Sequence, residues 1–143
     1  MPTDSATSTV VVAAPLAQVL ATIRAVEAQP EWVPEIREAE VLSTYDDGAP
    51  RTARFAASTP VGTDRYTLGY EHEDDGMRWH LVEGRLQTAQ AATYSLVPLD
   101  DGRTEVTFAL TISHNLPLPG FVRGRVIKGL VTSTTSGLVS RLA

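Results

Sequence analysis

The side chains in this sequence that could do chemistry are three histidines (His72, His80 and His114), four tyrosines and a scattering of acids. There is no cysteine, so disulfides, thiolate metal sites and cysteine nucleophiles are excluded. No His-Glu cluster has helical i, i+4 spacing, and zinc wants three or four convergent ligands. No metal or other cofactor is therefore expected. Neither a nucleophile elbow nor a Walker loop occurs, and Asp46-Asp47-Gly48 is an acidic turn that cannot cradle phosphate. His72 and Tyr70 remain as candidates for acid/base work, with Tyr66 and Tyr94 in support. An ordinary imidazole titrates at about 6.5. The bland alternative for His72 is a rim histidine, half in water or bonded to a backbone carbonyl.

The elements that would position these groups follow from periodicity. Thr7 to Ala13 is short and β-branched and reads as a strand, and residues 1–5 before it are expected to be flexible. Pro15 opens a helix over Leu16 to Val26, since proline suits a first turn. Pro30 and Pro34 hold the following stretch to one short turn carrying Trp32. Strands are then predicted at Glu38 to Tyr45, Arg51 to Ser58, Thr63 to Glu73, Met77 to Glu83, Leu86 to Val97 and Thr104 to Ser113. Each break carries turn residues.

Two hairpins can be registered by arithmetic. A two-residue turn at Asp75-Gly76 pairs His72 with Trp79 and Tyr70 with Leu81. One face then holds Leu68, Tyr70, His72, Trp79 and Leu81, with Tyr66 further along, while His80 joins the charged face. A three-residue loop at Asp100-Asp101-Gly102 pairs Leu96 with Val106 and Tyr94 with Phe108, and Leu110 continues that inner face. If Phe55 faces inward, Arg54 faces solvent. The inward aromatics are either plain core or the wall of a cavity, and buried hydroxyls need partners.

From about Gly120 to Leu142 the period becomes helical, with Ile127, Leu130 and Val131 on the apolar face. Gly124, Gly129 and Gly137 interrupt it at about 1 kcal/mol each against alanine. They call for a packing reason, a bend or a space. Thr132 to Ser136 is either an outer face with hydroxyls bonded back to carbonyls or, through Thr134, polar cavity lining. Arg123, Arg125 and Lys128 read as a solvated face.

The order and local motifs resemble the helix-grip superfamily of START domains, pollen allergens, polyketide cyclases and coenzyme-Q-binding proteins. The motifs are Pro30-Glu31-Trp32-Val33-Pro34, Trp79-His80-Leu81-Val82-Glu83-Gly84, Tyr94 to Val106 and Leu116-Pro117-Leu118-Pro119-Gly120-Phe121. The likeness spans about residues 5 to 142 and is greatest to the polyketide cyclase/dehydrase or coenzyme-Q-binding-like subgroup. It implies an α+β fold of the START/Bet v 1-like type: a curved seven-stranded antiparallel sheet around a long C-terminal helix, with two short helices after the first strand. It also implies a cavity for a hydrophobic small molecule. The expected lining is Trp32, Phe55, Tyr66, Leu68, Tyr70, His72, Trp79 and Leu81 from the first part of the chain. From the second part it is Tyr94, Leu96, Phe108, Leu110, Ile127, Leu130, Val131 and Thr134. An inward arginine, common in cyclases of this fold, cannot be placed.

The expected function is therefore binding of a lipid, isoprenoid or polyketide-like molecule. A polyketide aromatase/cyclase or dehydratase, or a protein-interaction module, are the alternatives. The chain of 143 residues carries a net charge of -5, against the basic footprint of a nucleic-acid binder. No run approaches the ~18 apolar residues of a membrane span, and the first residues lack the pattern of a secretory signal, so a cytoplasmic location is expected. The residues leave the oligomeric state open.

Overall fold

The computed structural model describes residues 3–115 and 117–143; Leu116, part of one motif behind the family resemblance, lies outside them, as do Met1 and Pro2. Strand β1 (Thr3–Val12) is followed by helix α1 (Leu16–Arg24) and a 3₁₀ turn (Val26–Glu31). Six strands come next: β2 (Ile36–Thr44), β3 (Pro50–Thr59), β4 (Gly62–Glu73), β5 (Gly76–Gly84), β6 (Gln87–Pro98) and β7 (Thr104–His114). Helix α2 (Gly120–Arg141) closes the chain. All seven strands form one antiparallel sheet in the order β1-β7-β6-β5-β4-β3-β2. The sheet curves around α2, which lies chiefly along β1 and β7. The expected seven-stranded helix-grip architecture is present.

The alternation of β7 is strict. Thr104, Val106, Phe108, Leu110, Ile112 and His114 are buried while their neighbours are more accessible. Its hairpin with β6 has the predicted register, Leu96 opposite Val106 and Tyr94 opposite Phe108. Gly102 supplies the turn with φ of +83°, a conformation open to glycine without a Cβ penalty.

The β4–β5 hairpin differs from expectation. The turn is Asp74-Asp75, and Gly76 pairs with Glu73, so Tyr70 faces Trp79 and His72 faces Met77. Gly76 belongs to the strand because β6 passes close beside it. A Cβ there would lie 2.2 Å from the Tyr94 carbonyl oxygen. The displacement is two residues, so side chains keep their predicted faces. Arg78 pairs with Glu71 outside at 2.7 Å, and Arg54 pairs with Glu40 on the outer face.

Residues Thr3 to Ser5, expected to be flexible, are strand. Hydroxyl contacts Thr3–Ser113 at 2.7 Å and Ser5–Thr111 at 2.8 Å tie them to β7. Asp4 points the other way, beneath α2, where it meets Arg123 at 3.4 Å. Arg123 also donates to the Leu118 carbonyl at 2.8 Å, so it is part of the packing and not of a solvated face.

Candidate functional site

A cavity of about 470 Å³ opens where the first half of α2 stands away from the sheet. Ile112, Val122, Val126, Ile127, Leu130 and Ala57 give it apolar walls. The helix supplies one wall by spacing: positions 122, 126 and 130 recur every fourth residue and so share a face. Gly129 also lines it, and outside its own stretch of helix backbone no atom lies within 4 Å of where its Cβ would be. The β3–β4 connection, Thr59 and Pro60, forms the lip.

The sheet side of the cavity carries a buried polar chain. Trp79 Nε1 donates to Gln90 Oε1 at 2.7 Å, Gln90 Nε2 donates to Gln87 Oε1, and Gln87 Nε2 donates to Asp64 Oδ2 at 2.9 Å. The backbone N–H of Leu86 reaches Asp64 Oδ1 at 3.4 Å. Asp64 is only 3% exposed, and a buried carboxylate is costly unless bonded. Its position is that of an ordinary inward strand residue, two before Tyr66 and four before Leu68. Gln87 and Gln90 both point inward although three residues apart, which regular alternation forbids. The pairing slips between Gln87–His114 and Ala89–Ser113, and this bulge re-aims the side chain, as bulges do.

His114 stands at the inner end of β7, 1% exposed, and lines the same cavity. Its Nε2 is 3.4 Å from Asp4 Oδ2. Burial lowers its pKa first of all, Asp4 pulls it up, and Arg123 pushes it down, with a net shift below the ordinary value. Glu35 enters from the segment after the 3₁₀ turn, held there because its carbonyl accepts the Ser58 N–H at 2.8 Å. Arg125 is at the exposed edge.

Of the residues expected to line a cavity, Tyr66, Ile127 and Leu130 do so here. Phe55, Leu68, Tyr70, Trp79, Phe108, Leu110 and Thr134 surround, with Tyr66 and Leu130, a second space of only about 30 Å³ deeper in. That is room for about one water. The rings themselves fill this region: Tyr94 stacks on Phe108 with centroids 4.6 Å apart, and Trp79 sits 5.6 to 5.8 Å from Tyr70, Phe108 and Tyr94. Tyr94, Leu96 and Val131 are buried beside them without reaching either space, and Leu81 is half-buried at the margin. Burial raises the pKa of Tyr66, Tyr70 and Tyr94, with Asp64 adding to the shift at Tyr66. Thr134 donates to the Leu130 carbonyl at 2.8 Å.

Two expected residues lie elsewhere. His72 is near the far end of β4 from Asp64, about 26 Å away at the rise of an extended strand. Its Nε2 is 2.6 Å from the Pro50 carbonyl oxygen, and its ring stacks on Tyr70. Trp32 is buried at the other end of α2, its carbonyl pressed against Gly137. Asp64, Gln87, Gln90, His114 and Glu35 were not singled out as cavity lining from sequence. For Asp64 and His114 the signal was present, because extending the inward alternation by one step reaches each.

A curved antiparallel sheet gripping a C-terminal helix, with a lined cavity between them, defines a helix-grip protein of the START-like class. Residues 3–143 match the family model described as polyketide cyclase / dehydrase and lipid transport, and the chain belongs to that family. Among solved structures it is similar to a START superfamily protein from Mycobacterium smegmatis, at 25% identity and a TM-score of 0.87, covering 96% of each chain. It shares its fold with the Zhui aromatase/cyclase from Streptomyces sp. R1128, at 13% identity and a TM-score of 0.84, covering 98% of this chain and 93% of that one. The STAR-related lipid transfer protein from Xanthomonas axonopodis gives 19% and 0.73, covering 96% and 85%. No curated protein matches the sequence. Among the described residues, no helix is long and apolar enough to cross a membrane.

Proposed function

We propose that this protein binds a hydrophobic small molecule, a lipid, isoprenoid or polyketide-like compound, in the cavity under the first half of α2. The observation that carries the reading is the 470 Å³ space walled by Val122, Val126, Ile127, Leu130 and Ile112 and floored by Asp64, Gln87 and Gln90. Its size and its few convergent polar groups are those of small-molecule sites, which run from roughly 300 to 1,000 Å³. Membership of a family described by both lipid transport and cyclase activity is in keeping with it. Tyr66, Ile127 and Leu130 are proposed as ligand contacts, and a cytoplasmic setting is part of the proposal. Native mass spectrometry after mild extraction is expected to find an apolar compound bound, and Val126→Trp to lose it. A wild-type protein that carries no added mass and takes up no neutral apolar fluorophore would sink the reading.

One observation favours a second reading, a cyclase or dehydratase. His114 and Asp64, side chains able to move protons, line the same cavity, and His114 is held toward its neutral form by burial. Such reactions need mainly a folded substrate and one or two acid/base groups. Turnover of a poly-β-keto mimic, lost in His114→Asn with binding retained, is the expected result on this reading. Binding without turnover leaves the first reading standing alone.

A further inference from the structure

The polar lining of the cavity is unbalanced in charge. Two carboxylates face it, Glu35 and Asp64, while the guanidinium among the lining residues, Arg125, is at the exposed edge. Glu35 Oε1 is buried and has no hydrogen-bond partner among the described residues. The hydrogen bonds of the sheet wall all run one way, from Trp79 through Gln90 and Gln87 to Asp64. One hydrogen of each glutamine amide is consumed on the way, and the chain terminates on an anion. An exposed cation is screened by water and salt, whereas buried charges are screened far less. His114 adds no cation at neutral pH, because burial holds it toward the neutral imidazole.

We infer that this cavity selects an apolar molecule whose polar end carries hydrogen-bond donors, a hydroxyl, phenol or amine, and rejects one that ends in a carboxylate or another anion. The inference deepens the container reading and rests on it. A donor on the ligand would be drawn to this acidic lining, since hydrogen bonds to charged groups are the stronger kind. A ligand carboxylate would instead sit against two like charges in a poorly solvated space, a juxtaposition that weakens binding by orders of magnitude. The aliphatic body of either ligand meets the same Val122, Val126 and Ile127, so the discrimination lies in the head alone.

The test uses the full chain, N-phenyl-naphthylamine as a neutral fluorescent reporter, and three competitors of equal chain length: decanol, decylamine and decanoate. Decanol and decylamine are expected to displace the reporter at concentrations at least about tenfold below decanoate, a difference of about 1.4 kcal/mol. Glu35→Gln is expected to shrink that ratio, and Glu35→Gln with Asp64→Asn to abolish it. Glu35→Gln alone keeps the test open if loss of the Asp64 bonds unfolds the double variant. Equal displacement by decanoate in the wild type, or a ratio unchanged in Glu35→Gln, overturns the charge inference and leaves the container reading intact. Failure of the reporter to bind at all overturns both.

Discussion

The two halves of α2 meet the sheet differently. From Val131 to Leu138 the helix is pressed into the fold: Val131, Thr134, Thr135 and Leu138 are all buried. Thr135 also meets Ser8 of β1 at 3.1 Å. From Gly120 to Leu130 only Ile127 is buried, and Val122, Val126 and Leu130 look onto the cavity. The glycines mark the contrast. A Cβ on Gly137 would lie 1.8 Å from the Trp32 carbonyl oxygen, whereas one on Gly129 would meet nothing within 4 Å outside its own stretch of helix backbone. The first is required by a close backbone approach, and the second faces open space. One half of the helix clamps the fold, and the other half is a wall.

The largest expected effect that would break this contrast is Gly137→Ala. Overpacking a core costs typically about 1–3 kcal/mol, and here the obstructing atom is backbone, so the loss should exceed that range. Urea unfolding checks it, and a wild-type midpoint would refute the clamp. Next in size is the pair Leu138→Ala and Leu130→Ala. Leu138 is fully enclosed, so its truncation should cost about 2–5 kcal/mol. Leu130 already borders a void, so its loss should cost less than Leu138 in the same measurement while weakening uptake of an apolar fluorophore. Equal losses would erase the distinction.

A smaller effect concerns pH. The folded-state pKa of His114 lies below its ordinary value of 6.5. Above about pH 6.5 the imidazole is neutral in both the folded and the unfolded chain. As pH falls below that, the unfolded chain takes up the proton first, so stability declines until the folded pKa is passed. Burial and Arg123 oppose the cation, while Asp4 and Asp64 favour it without reversing the shift. Thermal melts between about pH 7 and pH 5 should therefore fall less steeply in His114→Gln than in the wild type. The smallest change is Gly129→Ala, expected to stabilise by up to about 1 kcal/mol through helix propensity. A destabilised Gly129→Ala would mean the wall is more tightly packed than the cavity suggests.

The sheet was legible in the sequence because its signals are local. Alternation over 104–112 and the Asp-Asp-Gly loop gave the β6–β7 register from Pro98–Thr104 as far as Ala89–Ser113, short of the bulge. The β4–β5 register came out two places off because the role of Gly76 is set by a third strand, which sequence arithmetic on a hairpin does not include. His72 attracted notice as a titratable residue beside aromatics. Its facing was read correctly, but its distance from the cavity depends on where the helix stands off. Gln87 was hidden for a different reason, since the bulge breaks the rule by which inward residues are recognised. The aromatic cluster was read as either core or wall. The rings of Tyr94 and Phe108 fill their own space, and the cavity begins where the large rings end.

The bulge in β6 has a consequence for how this wall can change. Between Gln87 and Ala89 the strand carries one residue, Thr88, more than its partner needs. Removing that residue would restore simple alternation and leave Gln87 opposite His114, still facing inward. Asp64 would keep its side-chain donor, and the relay from the indole would stay on the inner face. The polar floor thus survives loss of the bulge, whereas a one-residue slip of β6 on β7 would carry Gln87, Gln90 and the inward aromatics to the other face together.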